Sequence, residues 1–246
     1  MYQITPVVKN IIIINVLVYL ACAVIPGLQE QVTGYYFTSE NFRPWQILTH
    51  MFAHAPLRSG NFAHIFFNMY ALYIFGSRLE LQWGAKRFLT YYLICGVGAF
   101  FLHEFINFME ISKITKSLTS EELRLVYEQG SDAIREGKNF VDTRLADLNI
   151  ALNVGVVGAS GCVFGILLAF GMLYPNTELM LLFPPIPLKA KWFVMIYGAL
   201  ELYLALGNRP NDNVAHFAHI GGMIFGYLLL KYWQKKDGHF YGNSQF

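Results

Sequence analysis

The sequence predicts an all-α membrane protein, a polytopic bundle of six transmembrane helices, and three observations carry that prediction. Only 14% of the 246 residues are Asp, Glu, Lys or Arg, against about 25% in ordinary soluble domains. Hydrophobic residues reach 55%. The charges are also spaced so that long intervals hold none, and these apolar runs lack the alternation of a strand. Backbone groups cannot stay unpaired in lipid, so such runs must be helices unless they close a barrel.

Each span follows from its flanking charges. The intervals 10–29, 59–77, 88–103, 148–177 and 213–230 carry no charge, and 192–208 is broken only by Glu201. A helix needs about 20 residues to cross the hydrocarbon. The expected cores are therefore 8–25, 61–79, 86–108, 154–174, 191–207 and 215–233. Ala21-Cys22-Ala23 resembles a signal-peptide cleavage site, but the apolar run continues to Ile25, so the first helix is expected to be retained. With the N-terminus inside, the inner flanks hold nine basic residues and the short outer loops only Arg43, Arg58 and Arg209. The long insert 109–150 adds six basic residues outside and makes the raw counts equal, but it also carries eight acidic residues and is far longer than the other loops, so both termini are expected on the cytoplasmic side.

Between the spans lie two larger pieces of a single domain, 1–246. The first outer loop, 26–60, is rich in aromatic and proline residues, which suggests a folded or interfacial loop. The insert 109–150 carries a capping-box pattern at Thr119 and Glu122, followed by Leu123, Val126 and Tyr127 at helical spacing. A second amphipathic run from Phe140 to Leu152 completes an expected outer helical hairpin packed on the first loop. No internal repeat and no low-complexity tract is visible.

Composition also excludes functions. Three cysteines in apolar surroundings form neither a disulfide scaffold nor a zinc set. A net charge of +2 gives no case for nucleic acid. No aspartate lies within a span, and His103-Glu104 is followed by Asn107, not the histidine of a zinc-protease helix. His50 and His54 are four apart, but no carboxylate or thiolate completes a metal site. Neither a metal nor a cofactor is expected.

Polar side chains at membrane depth are costly and raise a functional suspicion. Gly158, Ala159, Ser160 and Gly161 open the fourth span. They suit close helix packing, or equally a nucleophilic serine at a helix N-terminus whose N–H groups can hold an oxyanion. His216 and His219 open the sixth span, and Gly222 and Gly226 share the face of His219. Gly161 and Gly165 offer the fourth helix a matching glycine face. Two such faces would bring a serine and its general base within reach. His64 and Asn68 lie on one face of the second span. They suit an oxyanion hole or a polar helix–helix contact.

Taken in order, these motifs resemble the rhomboid family of intramembrane serine proteases. The resemblance covers roughly residues 8–232 without the insert. It rests on G-x-S-G at Gly158–Gly161, A-H-x-x-G-x-x-x-G at Ala218–Gly226 and H-x-x-x-N at His64–Asn68. It implies Ser160 as nucleophile and His219 as base, with no aspartate completing a triad. His64, Asn68 and the Ser160 N–H would form the oxyanion hole, and Phe164 would pack on the base. Gly76 and Glu80 match a pattern that ties the second helix to the first loop, and His50 and His54 match loop histidines. Trp45 matches a tryptophan–arginine pair in which Gln46 stands for the arginine. Helix five would be the gate for a substrate helix. The implied activity is hydrolysis of peptide bonds in or near transmembrane segments, within the lipid bilayer of a bacterial cytoplasmic membrane. The alternative is a catalytically silent relative that binds membrane clients. The sequence is silent on oligomeric state, on the substrate and on a role for His216.

Overall fold

The computed structural model describes residues 3–56, 62–180, 185–207 and 215–237. Residues 57–60 of the first loop lie outside them, as does Arg209 from the charge count. Six helical stretches occupy the expected spans: α1 (Pro6–Val24), α4 (Phe62–Ala71) continuing through a π turn (Leu72–Gly76) into α5 (Ser77–Trp83), α6 (Ala85–Ile114), α9 (Ser160–Leu173), α10 (Ala190–Gly207) and α11 (His216–Asp237). Three are long and apolar enough to cross a bilayer by themselves: Pro6–Val24, Ala85–Ser117 and Ala190–Gly207. The stretch Ser160–Leu173 is apolar but shorter.

The bundle is centred on α9. Ten of its fourteen residues are buried, which is the state expected of a helix that is apolar on every side. Around it stand α6, α11 and the π turn of the second span. Phe88, Tyr91, Tyr92 and Cys95 of α6 share the core with Cys162, Val163 and Ile166 of α9. Tyr91 donates its hydroxyl proton to the Gly165 carbonyl at 2.8 Å, so the largest buried polar group here is satisfied. In contrast α10 buries only Ala190, Val194 and Glu201 and exposes Met195, Leu202, Tyr203 and Leu206.

The N-terminus of α1 is capped from a distance. Glu80, 4% exposed, accepts from Thr5 Oγ1 at 2.5 Å, Val7 N at 3.0 Å and Val8 N at 2.9 Å. Orphan first-turn N–H groups and the positive helix end make this a favourable seat for a buried carboxylate. Gly76 lies one turn away, with Val8 and Phe88 packed over its α carbon. Gly76 and Glu80 therefore tie the second helix to α1, and not to the first loop as the sequence comparison implied.

Outside the bundle, the first loop holds the short helices α2 (Leu28–Val32) and α3 (Gln46–Thr49), and α7 (Ser120–Arg135) and α8 (Thr143–Asn153) form the expected hairpin. Thr119 and Glu122 form a reciprocal capping box, and Asp142 caps α8. The hairpin buries Val126, Leu148 and Leu152 against Ile111 of α6 and Tyr36 of the first loop. Polar contacts fasten the same interface: Arg135 Nη2 donates to Asn41 Oδ1 at 2.9 Å, and Asn41 Nδ2 donates to Ser131 Oγ at 3.0 Å.

Two features depart from the sequence reading. The fourth span begins as helix only at Ser160; residues 154–159 are irregular, with Val156 paired to Gly34 by two backbone hydrogen bonds of 2.7 and 3.0 Å. Two short antiparallel strands, β1 (Glu178–Met180) and β2 (Pro187–Lys189), join α9 to α10. Charged and proline residues hid them, because three-residue strands leave no periodicity to read.

Candidate active site

Four elements meet at the N-terminal end of α9. Ser160 is its first residue. The chain reaches it through Gly158, whose φ of +128° is open only to glycine at low cost. The Gly158 N–H donates to the His50 carbonyl at 3.0 Å, so the first loop holds the turn. His50 is itself fixed, its Nδ1 lying 2.9 Å from the Gln46 carbonyl and its ring 5.0 Å from that of Phe100.

Gln46 accounts for the missing arginine. It is fully buried. Its Oε1 accepts from Arg43 N at 2.9 Å. Its Nε2 donates to the carbonyls of Glu30 at 3.1 Å and Asn41 at 3.0 Å. A neutral amide thus gathers three loop backbone groups without the cost of burying a cation. Trp45 beside it donates Nε1–H to the Gln31 carbonyl at 2.9 Å.

His219 faces Ser160 from the first turn of α11. The two helices come close because neither has a side chain at the crossing. A Cβ added to Gly222 would collide with the Gly161 carbonyl, and one added to Gly165 would lie 2.9 Å from the Gly222 carbonyl. Gly226 serves a different neighbour: it makes room for Tyr91 and Cys95 of α6. Across the crossing, His219 Nε2 lies 2.8 Å from Ser160 Oγ. Phe164, one turn below, stacks on the imidazole with centroids 4.3 Å apart and planes inclined by 13°.

On the other side stands α4. A Cβ added to Gly158 would lie 3.0 Å from His64 Cε1 and Nε2, and 3.4 Å from Ser160 Oγ. The His64 ring edge and the serine hydroxyl therefore flank one small space over the Gly158 α carbon. Asn68 is buried and donates one amide proton to the His64 carbonyl at 2.9 Å; an amide carries two.

One residue of this site carried no role in the sequence reading. Glu201 of α10 is 8% exposed. Its Oε2 lies 2.8 Å from His219 Nδ1 and 2.6 Å from His216 Nδ1. The three groups could in principle hold a metal, their ligand atoms lying within 4.8 Å of one another. The sequence signal was present, since Glu201 alone breaks the fifth apolar run. A carboxylate at that depth is expensive without a partner.

Fold and site together define a rhomboid-type integral membrane protein. The chain belongs to the family described as eukaryotic integral membrane protein (DUF1751), which matches residues 7–245. It is 27% identical over 220 residues to an uncharacterized mitochondrial rhomboid protein of Schizosaccharomyces pombe, covering 79% of this chain and 53% of that one. It is 28% identical over 178 residues to the rhomboid protease AarA of Providencia stuartii, covering 69% of this chain and 50% of that one. The chain spans about half the length of these curated relatives. An integral membrane location follows. The bacterial cytoplasmic membrane expected from the sequence does not, because the family description is eukaryotic and one relative is mitochondrial.

Proposed function

We propose that this protein is an intramembrane serine endopeptidase that cleaves transmembrane protein substrates in or near their membrane-spanning segments. The observation that carries this reading is the 2.8 Å approach of Ser160 Oγ to His219 Nε2, held by a glycine crossing and an aromatic stack.

In the mechanism, Ser160 Oγ attacks the scissile carbonyl carbon while its proton passes to His219 Nε2. The tetrahedral oxygen takes the negative charge. It sits in the space over Gly158, where His64, Asn68 and the N–H groups that open α9 can donate to it. Collapse expels the amine, which takes the proton from His219, and leaves an acyl-Ser160. Water then enters, loses a proton to His219 and attacks the acyl carbon; the ester bond to Ser160 Oγ breaks, the acid leaves and His219 returns the proton to Oγ. Phe164 keeps the imidazole plane fixed through both halves.

The test is cleavage of a tagged single-span substrate in liposomes by wild type, Ser160→Ala and His219→Ala, each verified as folded. Loss in both variants supports the proposal. Persistent cleavage by folded Ser160→Ala sinks it. Labelling by a fluorophosphonate probe separates the protease from the silent, client-binding alternative: a folded wild type that does not label at Ser160 favours the latter.

A further inference from the structure

Glu201 is left over by the mechanism just given. It is a buried carboxylate on the helix that packs least, and it contacts neither Ser160 nor the oxyanion space. Its Oε2 receives two imidazole nitrogens at once, His219 Nδ1 at 2.8 Å and His216 Nδ1 at 2.6 Å. One tautomer of His219 satisfies every contact. With the proton on Nδ1, the ring donates to Glu201 and turns the Nε2 lone pair toward the Ser160 hydroxyl. The opposite tautomer would place a proton on Nε2 and leave Nδ1 facing an anion without a donor.

We infer that Glu201 is a positioning residue that converts the Ser160–His219 pair into a charge-oriented triad, and that His216 is the second donor that holds this carboxylate in place. The inference rests on the protease reading of the same site. During attack, the proton leaves Ser160 Oγ for His219 Nε2. Glu201 keeps its charge throughout and stabilises the imidazolium without taking the proton. His216 offsets part of the cost of burying the anion by supplying a second hydrogen bond.

The placement on α10 has a consequence of its own. Beyond Val194, Glu201 is the one buried residue among the described residues of that helix. The contact that orients the base therefore also helps to seat the second half of α10. The base is complete only when α10 is docked.

A metal on the same groups fits the distances poorly. Ligand atoms on a tetrahedral zinc ion stand roughly 3.3 Å apart, given Zn–N and Zn–O bonds of about 2.0–2.1 Å. Both nitrogens here lie at direct hydrogen-bond distance from Oε2.

The experiment measures the rate of fluorophosphonate labelling at Ser160 in wild type, Glu201→Gln and Glu201→Asp. It is paired with thermal stability and with kcat and KM on a tagged single-span substrate. The expected result for Glu201→Gln is a fall of about 10²- to 10⁴-fold in labelling and kcat, with KM unmoved. Glu201→Asp, which keeps the charge, is expected to recover about tenfold or more of that loss. Equal labelling in wild type and folded Glu201→Gln overturns the inference and leaves the protease reading intact. Failure of folded wild type to label sinks both. Should Glu201→Gln not fold, ¹⁵N-histidine spectra of wild type decide: His219 protonated on Nδ1 supports the inference, and protonation on Nε2 overturns it. Labelling lost to a chelator with release of stoichiometric zinc also overturns it, because a metal would then occupy the groups assigned to hydrogen bonds.

Discussion

Two neighbouring helices, α9 and α10, both bear on Ser160 and are built in opposite ways. Apolar on every side, α9 is walled in by α6, α11 and the second span. Most of α10 lies bare on the bundle's flank, and it enters the interior through Ala190, Val194 and one carboxylate. Ser160 is thus carried by the most enclosed of the spanning helices, and the carboxylate facing His219 by the least enclosed. Rigidity comes from shape where there is no polar atom to pair. It comes from hydrogen bonds where there is almost no shape. Tight packing offers no way of yielding in part, whereas a hydrogen-bonded seat can be left and regained.

The comparison can be broken at several points. Gly158→Ala should have the largest effect. The new methyl meets a φ of +128° and fills the space between His64 and Ser160, so labelling at Ser160 should fall about 10²- to 10³-fold, as when an oxyanion donor is lost. Normal labelling would show that this space is not where the reacting oxygen sits. Next comes Ile166→Ala in α9, which is fully buried. It should cost about 2–5 kcal/mol in unfolding measurements, because a cavity in a rigid surround cannot collapse.

A smaller effect is expected of acid. Burial pushes the imidazole of His50 down to about 4, against hydrogen bonds to loop carbonyls that favour its charged form, and burial together with the neighbouring His64 pushes that of His54 down to about 3. Below about pH 6.5 an opened loop binds protons that the closed loop refuses, so closure weakens as the pH falls from there toward 4. Protection of the loop amides from hydrogen exchange, relative to their intrinsic rates, should fall over that window in wild type and fall less in His50→Asn, which keeps His54. Removal of the aromatic stack by Phe164→Ala should lower kcat by about 2- to 10-fold, the worth of a ring pair. Smallest of all, Leu206→Ala on the exposed face of α10 should change stability by less than about 0.5 kcal/mol. A large cost there would mean that α10 is held by something other than its carboxylate.

Much of the fold could be read from charge spacing. The intervals without charge locate the helices to within a few residues, because a charge inside lipid is costly enough to leave a clear record. The capping box fixed the start of α7, since its two hydrogen bonds are local. The late start of α9 was hidden. Residues 154–159 are as apolar as a helix, and only their pairing with Gly34, some 120 positions earlier, shows why they are not one. Gly76 and Glu80 were legible as a pattern and misleading as to partner, because the N-terminus of α1 announces no need for an acceptor. At the site, Ser160 and His219 could be singled out as polar groups at glycine-rich helix faces, and His64 and Asn68 as polar groups on one face of an apolar span. Glu201 could not be assigned by the same route. It lies fifteen residues from His216 and eighteen from His219, and the family resemblance implies a serine and a histidine alone.

The shortness of α9 carries a further consequence, one of bilayer thickness. Fourteen helical residues span about 21 Å at 1.5 Å each, well short of a hydrocarbon layer of roughly 30 Å. A lipid-facing helix of that length would have to thin the membrane around it. This one is spared, because α9 itself is enclosed by other helices and the residues just before Ser160, Gly158 and Ala159, are buried in protein, where non-helical backbone is tolerated. The lipids meet the longer outer helices instead. The depth of the serine is set inside the bundle and the fit to the membrane outside it. The same reaction centre could therefore be carried unchanged into membranes of different thickness, with only the outer helices remade.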